Sequence, residues 1–537
     1  MQNTHRPPGR GALAVLLGTA LALAPALAGS ATEPVPESAG QTTTSFAPKL
    51  STDIVIGEEV QPNSILVTRD GTVGFVTDRV SGTLSVLDLA ENRVSDTVAL
   101  NAPRNSALAL SPDESLLFLV EKTPYGFSRG IGVVDLGTMS LRNSLTPDLV
   151  NIEVATPNRD GSTVVALGLG GEVLRLDAST GEVLASTVLA GNNFHSAVYT
   201  EHEAELLIGG DRQLIALDPL TLDTRRIMPI AGVRDLNDLT FDRDFSRVYV
   251  ADGTGTALAV LDPGTGAVLS SANMGTLMDN LVGDDTENRA YGNAQLGNAI
   301  LAADLAAGLR ATGTRDTPAA PFDVVRNPQT GDLLSANAGW TNGKKGSTVS
   351  VIHAPGVTDP GDQTVSAPGE NVTFRSEVTG ISPEHGGGVQ WQRSADAGAT
   401  WQDVPGATGD ALTLSAPAEA IGDRVRLTWS DDFWGTSGTS GEAVIRAQGP
   451  RITYEGPLPE GVVGETYPGT EITATGLPGL RWSVTGLPEG LRLAPETGLL
   501  TGTPAAEGLA TLTVTVEDDF GADTATFPLT VRDGTGT

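Results

Sequence analysis

The chain of 537 residues contains no cysteine. Disulfides are therefore excluded, and its stability must come from packing and backbone pairing. Lysine is nearly as scarce, confined to Lys49, Lys122, Lys344 and Lys345. Lysine and arginine together number 33 against 65 acidic residues, a formal net charge of −32. So acidic a surface repels phosphate backbones, which argues against nucleic acid as a partner. Beyond residue 30 no amphipathic helical stretch is found, while 65 glycines and 33 prolines punctuate short apolar runs. That pattern predicts an all-β protein. No phosphate loop, zinc spacing, HExxH, GxSxG or nucleotide fingerprint is present, which counts against an enzyme.

At the N-terminus, Arg6 and Arg10 flank the apolar run Gly11–Ala24, and Ala26-Leu27-Ala28 comes next. This is the layout of a secretory signal, read as residues 1–28 with cleavage after small residues. The apolar run is short for a membrane span. The expectation is a secreted protein, extracellular or associated with the cell surface, with no transmembrane segment in its mature form. Residues 29–49 are polar and rich in Pro, Ser and Thr, and read as a disordered lead.

From residue 50 to 354 the chain is dominated by a repeat. Its clearest copy, 104–143, runs from the alternating Ala107–Leu110 through a Ser-Pro-Asp turn to apolar Leu116–Val120, then by a loop to a run closing on Asp135. The closing aspartate recurs at Asp88, Asp135, Asp177, Asp218, Asp262 and Asp304, with His353 in the seventh place. Successive intervals are 47, 42, 41, 44, 42 and 49 residues. Several strands per unit at such a period mark propeller blades, which take ~40–50 residues each. Seven copies predict a seven-bladed β-propeller over residues 50–354. The last copy stops after its third strand, whereas Thr52–Glu58 precedes the first as an orphan strand. The orphan is expected to complete the seventh blade and close the ring, removing two open edges. Phe75-Val76-Thr77-Asp78 followed by Gly82–Asp88, and Val248–Asp252 followed by Leu258–Asp262, resemble the YVTN-type repeats of bacterial seven-bladed propellers.

Residues 355–368 read as a Pro/Gly linker, and 369–447 as an Ig-like β-sandwich. There Val372, Phe374, Ser376 and Val378 alternate as an inner strand and Trp391 is of the buried type. The segments around Trp391, Asp396–Trp401 and Pro405–Thr408 resemble bacterial Ig-like repeats, with Ser376 and Leu427 where related domains carry cysteines. In 450–533, Leu487–Leu493, Thr497–Pro504 and Val514–Gly521 resemble the bacterial Putative-Ig (cadherin-like) module.

Residues that open innermost strands should ring one mouth of a propeller channel. They are Asn63, Asn105 with Ser106, Asn151, His195, Asn237, Asp238, Asp279, Asn280 and Asp323. Such amides and carboxylates suit a polar ligand or calcium. They equally suit turns, because Asn and Asp bond nearby backbone N–H groups. Tyr125, Phe127 and Arg129, and Trp340 with Lys344, sit on loops expected at the same face, where they could grip an acidic or sugar partner. Glu517, Asp518 and Asp519 are the candidate metal ligands, as are Asp431 and Asp432. No cofactor is certain, and calcium is the one considered. Together these features favour a monomeric binding or adhesion protein, its propeller a recognition platform for extracellular protein or carbohydrate and its Ig-like units spacers. The alternatives are a lactonase-like hydrolase acting at the channel mouth and a calcium-dependent surface assembly protein.

Overall fold

The computed structural model describes residues 48–534 except 59, 103, 150, 243, 244, 279, 285–287, 295, 296, 306–308, 342 and 343. The expected signal segment, nearly all of the lead, and Asp279 lie outside the described residues.

Between Ser51 and Ile352 the chain forms seven four-stranded antiparallel sheets, six of them built from four consecutive strands. The second and third strands are runs such as Thr163–Gly168, buried at every position. Outer strands such as Val268–Asn273 alternate half-buried with exposed. Strands buried on both faces carry no polar phase, hence the unbroken aliphatic runs. The innermost strands touch their neighbours in chain order, and Pro321–Arg326 of the last sheet touches Pro62–Val67 of the first. The ring is thus closed, and the architecture is that of a β-propeller.

Closure comes from the front of the chain. Ser51–Val55 pairs antiparallel with Thr348–Ile352, placing Ile54 opposite Val349. Ile54 packs with Val349, Ile65 and Val76, joining the last sheet to the first. Thr52 Oγ1 meets His353 Nε2 at 2.9 Å, and Ser350 Oγ donates to Asp53 Oδ1 at 2.5 Å. The recurrent aspartates act locally. Asp88, Asp135, Asp177, Asp218 and Asp262 each accept an N–H group of the turn after the third strand. Asp177 accepts from both Ser179 and Thr180, and the Ser179 hydroxyl and these amides pull its carboxyl down to about 2.

The segment 355–368, expected to be a linker, contributes strands instead. Gly356–Val357 pairs with Val378–Thr379, and Gln363–Val365 runs parallel to the strand Ala443–Ala447. The alternating apolar residues of this stretch find a core, so Val365 is fully buried. Val372, Phe374, Ser376 and Val378 all point inward. Trp391 lies at the centre, its Nε1 donating to Gly409 O at 2.9 Å. Further on, Gly461–Val462, Gly521–Arg532, Gly508–Asp518 and Arg481–Thr485 make one sheet, and Thr470–Glu471, Leu499–Gly502 and Leu491–Leu493 another. Both enclose Trp482, Leu500 and Val514.

The first sandwich is joined to the propeller by a buried plug. Phe433 and Trp434 pack with Tyr291, Ile300, Val324 and Leu333 of the last two sheets. Tyr291 lies 5.5 Å from Phe433 and 5.4 Å from Trp434, centroid to centroid. Arg315 Nη2 donates to both oxygens of Asp431 at 2.7 Å and the guanidinium covers the Phe433 ring at 4.5 Å. Asp431 also accepts the N–H groups of Ser382, Phe433 and Trp434. The expectation of a metal-binding carboxylate at Asp431 is corrected here: its lone pairs are used by an arginine and three amides. Gly435 closes the turn at φ 67°, where a Cβ would also collide with the Arg289 guanidinium.

Candidate functional site

The inner strands of all seven sheets converge on one cavity of about 630 Å³. Asn63, Asn105, Ser106, His195, Asn237, Asp238, Asn280 and Asp323 all line it, so the ring read from the sequence is brought together there. Asn151 does not line it. It takes φ 57° in the turn before its strand, and its carbonyl accepts the Leu169 N–H. The mouth position of its strand is instead Glu153, at the bulge that Asn63 and Asn237 occupy in theirs. Asp279 lies outside the described residues.

Several of these side chains are occupied by the ring itself. Asp323 Oδ2 accepts the Ile65 N–H of the next sheet at 2.9 Å, and Asp238 Oδ2 accepts that of Leu281 at 2.8 Å. Ser64 and Ser196 do the same for Ala107 at 3.2 Å and Leu239 at 3.1 Å. Each clasp satisfies a backbone donor that the inner edge of a sheet leaves without a ladder partner. Burial in the channel wall raises Asp238 to about 6 and Asp323 to about 7, the Asp238 charge adding to the shift at Asp323. Both carboxyls therefore titrate near neutrality although they lie on a solvent-reached wall. Asn280 N–H donates to Asn293 Oδ1 at 2.9 Å, and His195 Nε2 lies 3.7 Å from Asp235 Oδ2. His195, Asp238 and Asp323 thus each have separate partners.

The same mouth carries cations that sequence reasoning missed. Arg79, Arg104 and Lys122, from the first two sheets, line the same cavity. Lys122 is paired with Glu153 at 3.3 Å. Arg79 lies 5.0 Å over the Phe322 ring, and burial, then the nearby Arg104 charge, lowers its pKa. Among the described residues neither Arg79 nor Arg104 has a carboxylate partner. Beside them Asn105 Oδ1 and Ser106 Oγ are covered and lack a hydrogen-bond partner. The one available signal was the rarity of bases: Arg79 comes directly after Asp78, and Arg104 directly before Asn105.

Gly126, on the loop after Lys122, also lines the cavity, with Tyr125 at 87% and Phe127 at 56% exposure beside it. The side chains of Arg129, Trp340 and Lys344 lie outside the described residues, although Trp340–Thr341 and Lys344–Lys345 pair as a short hairpin. In the C-terminal unit, Glu517 and Asp518 end one long strand, and Asp518 Oδ1 accepts the Phe520 N–H across the turn at 2.8 Å. Among the described residues, no group of three or more His, Asp or Glu that could hold a metal ion includes Glu517, Asp518 and Asp519 or occurs elsewhere.

A stretch of 114 residues is 40% identical to Endoglucanase C of Cellulomonas fimi, covering 21% of this chain and 9% of that protein. The chain therefore spans less than a tenth of that relative's length. Similar solved structures include the Cps50 (Swd1) β-propeller domain of Myceliophteria thermophila, 13% identical over 57% of this chain and 100% of that one, with a TM-score of 0.49. Another is the Kuenenia stuttgartiensis hydrazine synthase, 13% identical over 56% of this chain and 96% of that one, with a TM-score of 0.47. Residues 450–532 match the Putative Ig domain family (He_PIG).

Proposed function

We propose that this chain is an exported binding protein whose propeller presents its channel mouth as a recognition face, the two Ig-like units acting as spacers on an extracellular surface. The observation that carries this reading is the polar cavity at which all seven inner strands meet. A concave site with several convergent polar groups is where a small ligand, or one end of a larger one, is gained most readily. The repeat residues support a propeller of YVTN type, and the Val514–Gly521 pattern a cadherin-like C-terminal unit. The local similarity to a protein named as an endoglucanase supports carbohydrate over protein as the partner. Arrays of glycans and extracellular proteins probed with the full chain test it. Specific binding abolished by bulky substitution at Asn63 or Asn237 is expected; binding insensitive to every mouth substitution would sink it.

A second reading, a lactonase-like hydrolase, draws on Asp238 and Asp323 titrating near neutrality, where a general base is useful. Turnover of simple lactones lost in Asp323→Asn with binding retained would favour it. The clasps explain both carboxyls without chemistry, so binding is the stronger reading.

A further inference from the structure

A chain with twice as many acids as bases has every opportunity to neutralise its arginines. Several of its part-buried arginines are neutralised: Arg226 is paired with Glu205, Arg393 with Asp423 and Arg315 with Asp431. Arg79 and Arg104 are the exception at the mouth. They come from adjacent sheets, repel one another and face a shared cavity with no carboxylate set between them. Two like charges held together at the rim of a pocket cost free energy unless an anion bridges them. A planar guanidinium matches a carboxylate with two parallel N–H···O bonds, which a hydrated ammonium cannot do as well.

The surroundings narrow the anion further. The cavity, about 630 Å³, falls in the usual range of small-ligand sites and accommodates a few sugar rings rather than a folded partner. Its wall is rich in amides and hydroxyls, suited to a polyhydroxyl body, and the exposed Tyr125 and Phe127 stand at its lip. Aromatic faces at the edge of a polar cavity stack on the C–H faces of sugars. The carboxyls of Asp238 and Asp323 are held by backbone amides, and among the described residues neither is ion-paired with Arg79 or Arg104.

We propose that the Arg79–Arg104 side of the channel mouth binds the carboxylate of an acidic saccharide, a uronate unit, with the sugar body resting toward Tyr125. This rests on the channel mouth being the recognition face and specifies what it recognises. The test uses the full chain with oligogalacturonate and oligoglucuronate, their methyl esters as neutral counterparts, and tetraalanine as a peptide carboxylate, all by calorimetry. One of the acidic oligomers should bind, its methyl ester roughly tenfold or more weakly. Arg104→Gln should remove a similar factor with an unchanged melting temperature, Arg79→Gln a similar factor with a small loss of stability from its Phe322 contact, and Arg212→Gln on the exposed rim of another sheet should not. Binding should also weaken with salt. Equal binding of acid and ester at the mouth would overturn the anion assignment while leaving the recognition face intact. Binding of tetraalanine but no saccharide would overturn the saccharide. No binding of any oligomer, or binding indifferent to both arginine substitutions, would overturn the proposal outright.

Discussion

Arg315 and Arg104 belong to the same propeller and differ in burial and in the presence of a counter-ion. Arg315 is 4% exposed with a fully buried carboxylate against it. Arg104 is half-buried at a cavity with none. A buried ion pair gains little over an apolar pair of equal volume, because desolvation offsets most of its Coulomb energy. What it does is forbid separation of its halves, each of which would be left as an uncompensated charge. The pair therefore enforces the placement of sandwich on propeller. An unpaired arginine at a cavity does the reverse, leaving a charge open to whatever arrives from solvent.

The contrast is broken most forcefully at Asp431. Asp431→Ala leaves the Arg315 charge buried alone and is expected to cost about 3–5 kcal/mol in urea unfolding. Replacing both partners, Arg315→Met with Asp431→Leu, should recover most of that loss. If the single substitution proves harmless, the junction is not what the pair suggests. Next in size, Phe433→Ala empties the plug between the last two sheets and should cost about 3 kcal/mol, with an earlier thermal transition.

A smaller effect, with a definite sign, is expected at Asp323. Its carboxyl is raised to about 7 from an ordinary value near 3.8. The unfolded chain ionises first, so folding is favoured while the group is protonated. That contribution is lost as pH rises from about 4 through 7. Asp323→Asn keeps one oxygen for the Ile65 N–H and removes the charge. Relative to wild type it should gain about 3 kcal/mol between pH 4.5 and pH 8, read as melting temperatures across that range. A constant difference at all pH values would place the ionisation elsewhere. Smallest of all, Arg104→Gln should change stability by less than about 0.5 kcal/mol. A larger loss would mean that Arg104 has a structural partner after all, and would bring it closer in kind to Arg315.

The propeller was legible because its information is local and repeated. Apolar runs, Asp-bearing turns and a steady interval read directly from the chain, and the orphan strand Ser51–Val55 could be matched to the seventh sheet by counting strands. Asn63, Asn105, His195, Asn237 and Asp323 were found at the mouth for the same reason, each opening an innermost strand. Asn151 failed because the bulge position held by Asn63 and Asn237 in their strands falls two residues later here, on Glu153, and it is Glu153 that lines the cavity. Residues 355–368 looked like a linker because their strands are two or three residues long, too short for periodicity to show.

Composition and periodicity alone determined that this chain is all-β and that its front must close its ring, because strand alternation and edge pairing are dictated by neighbours in sequence. Only the tertiary structure decided which charges meet. Arg315 and Asp431 are 116 positions apart, and Arg79 and Arg104 come from different sheets. Electrostatic partnership depends on distance through space and on how much water is excluded between the groups. Neither quantity is written in the order of the residues.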